Sequence, residues 1–187
     1  MSLCGYSIMP PEFQAFPRMP RLSREIVITE KLDGTNAQIY ISDDGLQILA
    51  GSRNRWIISR DDNYGFAHWV SEHKTELLAL GPGRHFGEWW GAGIQRGYGL
   101  KEKRFSLFNV TRWETAENRP ACCGVVPTLY RGCFSMNNIN RVLLDLQLDG
   151  SIAAKGFMQP EGIVIYHTAA KQCFKKTIEH DSTGKPE

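Results

Sequence analysis

Short β-branched apolar runs, each ended by a glycine-bearing turn, constrain this chain more than any other feature. Residues 26–29, 37–42 and 46–52 are apolar or alternating, and Asp33-Gly34 and Asp43-Asp44-Gly45 separate them. Such runs are too short to hold a helix, which needs about 12–15 residues to be stable alone. Four to eight such residues bounded by turn formers read as strands. Asp43-Asp44-Gly45 is a hairpin signal, because glycine accepts the positive φ of a tight turn.

Further along, the period changes. Phe66, Trp69, Val70, His73, Leu77 and Leu78 recur at steps of three and four, which predicts a helix over 63–80, stopped by Gly81-Pro82-Gly83. Strand character returns at 85–90 and at 105–113. Residues 114–132 carry Pro120, Pro127 and an adjacent Cys122-Cys123 pair, and read as irregular. A second helix is expected over 136–148, with Ser135 as N-cap and Gly150 just past its end. Two strands at 162–167 and 172–178 close the pattern, joined by a turn at 168–171, and 181–187 reads as a frayed polar tail. Residues 1–24, rich in Pro and Arg, read as an extended lead-in to one catalytic domain at 25–187. The expected class is α+β: mostly antiparallel sheets with flanking helices.

Charge and cysteine usage narrow the function classes. Twenty-two Lys and Arg against 20 Asp and Glu leave a net +2, far from the balance of a protein that coats nucleic acid. Any such contact must come from a local cluster. Five cysteines without a CxxC give neither a zinc knuckle nor a disulfide framework. The five histidines form no metal or triad spacing. No apolar run reaches the roughly 20 residues of a membrane span, and the N-terminus lacks a secretory pattern. A soluble, cytoplasmic protein without a membrane partner is expected.

The chemistry concentrates in Thr29-Glu30-Lys31-Leu32-Asp33-Gly34-Thr35-Asn36. A lysine at the end of an apolar strand, one residue before an Asp-Gly turn, sits on a rigid element with its amine in open space, as a nucleophile requires. Read alone, such a short motif is more often a solvated strand-end lysine. Four further segments follow in order. Ser52-Arg53-Asn54-Arg55 closes a hairpin, and Phe86-Gly87-Glu88-Trp89 sets a carboxylate among aromatics. Phe105-Ser106-Leu107-Phe108-Asn109 offers a stacking ring. Glu161-Gly162-Ile163-Val164 and Phe174-Lys175-Lys176 place a carboxylate and paired lysines on the last two strands.

The ordered set resembles the covalent nucleotidyltransferases, the superfamily of ATP-dependent ligases and capping enzymes. It is most similar to the adenylyltransferase domain of RNA ligases of the phage double-strand-repair type, with its ATP-grasp-like fold. The resemblance implies that Lys31 takes AMP from ATP and that Lys175 (with Lys176 as fallback) and Glu161 assist. In a free lysine, deprotonation at pH 7 costs about 4–5 kcal/mol. A second cation nearby lowers that cost, a need that Lys175 and Mg²⁺ or Mn²⁺ fit. The resemblance further assigns Glu161, and Asp33 through water, to the metal. It gives Arg53, Glu88 (to a ribose hydroxyl), Phe108 (to adenine), Lys175 or Lys176, and Glu30 through its backbone to the nucleotide. Phe108 is preferred to Phe105 on the family pattern of an aromatic before Asp or Asn.

The implied activity is that of a minimal ATP-dependent RNA ligase, which joins an RNA 5′-phosphate to a 3′-hydroxyl. Only 11 residues follow Lys176, so no OB-fold or other accessory domain is expected, and an RNA-binding partner would fill that place. Arg18, Arg21, Arg24 and the basic loop at 96–104 are candidate RNA contacts. A minimal DNA ligase and a catalytically weak RNA-end sensor are the alternatives.

Overall fold

The computed structural model describes residues 11–179. Among the described residues ten strands form two sheets. β1 (Glu25–Lys31), β8 (Thr128–Cys133), β9 (Gly162–His167) and β10 (Gln172–Thr177) make a four-stranded sheet in the order β10-β9-β1-β8. The second sheet has six strands in the order β4-β3-β2-β5-β6-β7. These are β2 (Thr35–Ile41), β3 (Ile48–Gly51), β4 (Trp56–Ile57), β5 (Gly83–Gly91), β6 (Lys103–Leu107) and β7 (Cys123–Val125). Every pairing is antiparallel except β6 with β7. The class is the α+β arrangement expected from the sequence.

Strand alternation assigns each face its layer. Ile26 and Ile28 of β1, with Ile163 and Ile165 of β9, pack under Ile139, Val142 and Leu146 of helix α4 (Met136–Asp149). Ser135 caps α4 by accepting the Asn138 N–H. On the six-stranded sheet, Ile39, Ile41, Trp89, Phe105 and Leu107 pack against Phe66, Ala67 and Val70 of α1 (Phe66–Glu72). Fully burying one such ring or aliphatic chain stabilises the fold by about 1.5–3 kcal/mol. A third cluster, Val27, Leu32, Trp90, Tyr98, Val110, Val126 and Ala154, lies where the facing sides of the two sheets meet.

Three local expectations are corrected. The helix over 63–80 is α1, then α2 (Lys74–Leu77), then a 3₁₀ turn at Leu78–Leu80, with the break at His73. Asp62 accepts the N–H groups of Ala67 and His68 near the start of α1. The strand over 105–113 stops at Leu107, because the Asn109 side chain accepts the Arg112 N–H and starts α3 (Val110–Trp113). The stretch 114–132 contains β7 and most of β8. β8 is an edge strand with half-buried and exposed positions and shows no apolar alternation to read.

Residues 11–24 form no helix or strand. The remainder of the lead-in and the tail at 181–187 lie outside the described residues. Among the described residues no helix is long and apolar enough to cross a membrane.

Candidate active site

β1 belongs to one sheet and β2 to the other, so residues 32–34 carry the chain between them, and Lys31 stands at that junction. Val27, Thr29 and Lys31 share the face of β1 opposite α4. With Val164 and Tyr166 of β9 they form one wall of a cavity of about 730 Å³. Asn36, Phe86, Glu88 and Phe108 supply residues from the second sheet. The Lys31 Nζ donates to Glu161 Oε2 at 2.6 Å, so the strand-end amine and the carboxylate before β9 meet across 130 residues of sequence.

The turn is fixed from three sides. The Asp33 N–H donates to the Tyr98 hydroxyl at 2.8 Å, and the Arg96 Nε donates to Asp33 Oδ2 at 3.0 Å. The Gly34 N–H donates to Glu88 Oε1 at 3.1 Å. Gly34 itself is required by close approach: a Cβ there would lie 2.4 Å from the Trp89 carbonyl oxygen and 2.7 Å from the Trp90 Cβ.

Glu88 is 7% exposed and also accepts from Asn36 Nδ2 at 3.3 Å. Burial pushes its pKa up to about 7, Lys31 and the Gly34 N–H oppose the rise, and Glu161 and Asp33 add to it. A carboxyl raised toward neutrality by burial inside a cleft is a candidate functional group.

Glu30 points the other way. Its side chain is buried on the α4 side, where it accepts from Ser151 Oγ (2.5 Å) and the N–H groups of Ile152 and Ala153 (2.9 Å each). Burial raises its pKa against those three bonds. Glu30 therefore borders the cavity through its backbone strand, while its carboxylate ties β1 to the segment after α4.

The remaining sequence candidates fall into place by strand register. Phe105 is fully buried in the core, whereas Phe108 is 40% exposed and lines the cavity. Arg53 is not in the main cavity. It borders an adjoining hollow of about 150 Å³ together with Asn36, Phe86 and Phe108. Lys175 pairs with Val164, which puts it on the cavity face in the row of Thr29, while Lys176 pairs with Ile163 and points to the opposite face. Alternation alone gave two faces; the register says which is which.

Two side chains that the sequence reading passed over, Tyr98 and Asn36, help to build the site, and Arg96, read there only as a candidate RNA contact, holds the turn. Arg96 and Tyr98 belong to a glycine-rich loop, Arg96-Gly97-Tyr98-Gly99, in which Tyr98 is held at φ 54. An aromatic residue in the left-handed region is uncommon and invites attention, but φ is not written in the sequence. Within the basic loop at 96–104, named above as a candidate RNA contact, Lys101 is exposed and the other three cations have protein partners. Arg96 is occupied by Asp33, Glu179 and the Gln159 carbonyl, Lys103 by the Tyr64 carbonyl, and Arg104 by Glu102. Arg18, Arg21 and Arg24 are exposed.

Among the described residues no three His, Cys, Asp or Glu side chains group as a metal cage. Glu88 lines the cavity wall, and next to Lys31 and the turn after it stand two more carboxylates, Glu161 paired with Lys31 and Asp33 paired with Arg96. That suits a hard cation that keeps most of its water and shares phosphate oxygens, as Mg²⁺ does, and not a soft or fully caged one.

A family profile described as RNA ligase matches residues 24–178. The chain belongs to the RNA ligase family. Solved structures of Naegleria gruberi RNA ligase agree in fold. A lysine-to-alanine variant of that enzyme with ATP and Mn is 21% identical at a TM-score of 0.63, over 83% of this chain and 50% of that one. A glutamate-to-alanine variant with AMP and Mn is 22% identical at 0.63, over 83% and 50%. An apo variant is 23% identical at 0.62, over 83% and 50%. This family member thus spans about half the length of those ligases. No curated protein sequence matches it significantly.

Proposed function

We propose that the chain is the nucleotidyl-transfer unit of an ATP-dependent RNA ligase and that Lys31 carries the nucleotide. The observation that supports this most is the Lys31–Glu161 contact at the rim of a cavity large enough for a nucleotide. In the first step the Lys31 Nζ lone pair attacks the α-phosphorus of ATP. A P–N bond forms, the bond to the β-phosphate oxygen breaks, pyrophosphate leaves, and the amine proton passes to Glu161 or water. In the second, an oxygen of an RNA 5′-phosphate attacks the same phosphorus and frees Lys31. In the third, a 3′-hydroxyl displaces AMP and closes the strand.

This chain's residues supply position and charge, the main levers in phosphoryl transfer. Glu161 holds the amine at the cavity rim, and Lys175 brings a second cation to the same face. Phe108 offers its ring to adenine. Glu88, presented by Gly34 and Asn36, accepts a ribose hydroxyl, and Arg53 meets the phosphates from the adjoining hollow. Glu161 would hold a divalent cation, Asp33 through water, and that ion supplies neutralisation of phosphate charge.

The test is incubation with α-labelled ATP and Mg²⁺ or Mn²⁺, then denaturing electrophoresis. Label should stay on the protein, be released by acid, and be missing from Lys31→Ala. Label that survives in Lys31→Ala removes the mechanism. Nicked duplexes with RNA or DNA ends then separate an RNA from a DNA ligase.

A further inference from the structure

Beyond the nucleotide cavity, one row of residues crosses the open face of the six-stranded sheet. Phe108 donates its N–H to the Phe86 carbonyl at 3.0 Å, Phe86 pairs with Gln38, Gln38 with Gly51, and Gly51 with Trp56. Directly paired residues share a face, and adjacent strands lie about 4.8 Å apart, so the row runs about 19 Å from the cavity to the sheet edge.

Its relief is that of a trough. Phe108, Phe86 and Trp56 are 40%, 52% and 43% exposed and stand at the two ends. Between them the floor is low. Gly51 has no side chain, and a Cβ there would lie 2.7 Å from the Gln38 Cγ, so Gln38 lies flat across it. The 150 Å³ hollow bordered by Gln38, Ser52, Arg53, Phe86 and Phe108 is the cavity end of this trough.

Positive charge accompanies the rings. The Arg84 guanidinium stacks over Tyr40 at 5.3 Å and over Trp56 at 5.2 Å, and donates to Gln38 Oε1 at 3.1 Å. Arg53 stands over the hollow. An uncovered protein surface seldom presents aromatic rings grouped in this way. Rings alternating with guanidinium groups along a shallow groove are what single-stranded nucleic acid binds, bases on rings and phosphates on cations.

We propose that this trough, from Phe86 to Trp56, is the track on which a single RNA strand lies as its end enters the cavity. The proposal rests on the reading of the chain as an RNA-joining enzyme, and its occupant follows from continuity with the cavity and from charge. A protein partner would match the rings but leave Arg84 and Arg53 to find carboxylates.

The test uses the full chain, a 5′-phosphorylated oligoribonucleotide, and EDTA to hold the chemistry off. Trp56 is the most exposed tryptophan among the described residues, since Trp69 is half-buried and Trp89, Trp90 and Trp113 are buried. RNA should therefore quench its emission, and Trp56→Leu should lose that quench. Trp56→Leu combined with Tyr40→Leu should weaken RNA binding about tenfold or more, the scale of one lost base stack, while self-labelling by ATP is unchanged. Should the pair of changes prevent folding, Trp56→Leu alone on its exposed edge strand carries the test. Arg84→Gln should lower the salt slope of binding by about 1.

Unchanged RNA affinity in the variants overturns the proposal, as does an intact wild-type emission on RNA addition. If the same variants instead lose self-association, the face belongs to a protein contact and the proposal fails. A wild-type chain that takes no label from ATP would sink the ligase reading itself, which is a separate result.

Discussion

Replacing Glu88 by glutamine tests whether the carboxyl at the cavity wall is held against its own ionisation. The group titrates near 7 in the folded chain because burial outweighs the help of Lys31 and the Gly34 N–H, whereas a free side chain titrates near 4.5. The folded state therefore binds the proton more tightly than the unfolded state between those values. Stability then falls as pH rises through that window and levels off above the folded pKa. At about 1.36 kcal/mol per unit, the full cost of the ionised group is about 3 kcal/mol.

Glutamine keeps the shape and an acceptor for the Gly34 N–H but cannot ionise. Glu88→Gln should differ little from wild type at pH 5 and gain about 2–3 kcal/mol relative to it by pH 8.5. For a chain of this length that is a rise in melting temperature of roughly 4–12 °C. Urea denaturation across that pH range reads the difference directly, since every other titrating group cancels between the two proteins. Parallel stability curves with no divergence would refute the reasoning. The same variant should bind ATP more weakly, because a neutral amide is a poorer acceptor for a ribose hydroxyl than a carboxylate. Stability given up for a charged group in a cleft is a recurring feature of functional sites.

Two further substitutions probe the turn that carries the amine. Tyr98→Phe removes the acceptor of the Asp33 N–H and should cost about 1–3 kcal/mol in urea denaturation; a loss below a few tenths would mean that this bond is not holding the turn. Gly34→Ala sets a methyl group against the Trp89 carbonyl and Trp90, and should cost about 1–3 kcal/mol and cut self-labelling, because the turn must shift Lys31. Wild-type melting and labelling in that variant would show that the close approach carries no constraint.

The strands around the motifs were legible because each is a short run with its own punctuation. β1, β2, β9 and β10 fall at or within one or two residues of where alternation and turn residues put them, and Ser135 announced α4 by its hydroxyl. β8 was illegible: an edge strand with half-exposed positions has no apolar period, and its identity comes from pairing with β1. The break at Asn109 was missed because Phe105, Leu107 and Val110 continue an apolar pattern through a cap.

The order of the motifs, and with it the candidate lysine, is a property of the chain alone, since local spacing and turn chemistry are written residue by residue. That Lys31 meets Glu161, that Lys175 and not Lys176 shares its face, that Glu30 turns inward, and that Tyr98 and Arg96 hold the turn were decided only by folding. Each of these depends on register, burial or a contact between residues far apart in sequence, and those quantities come into being only when the two sheets close on each other.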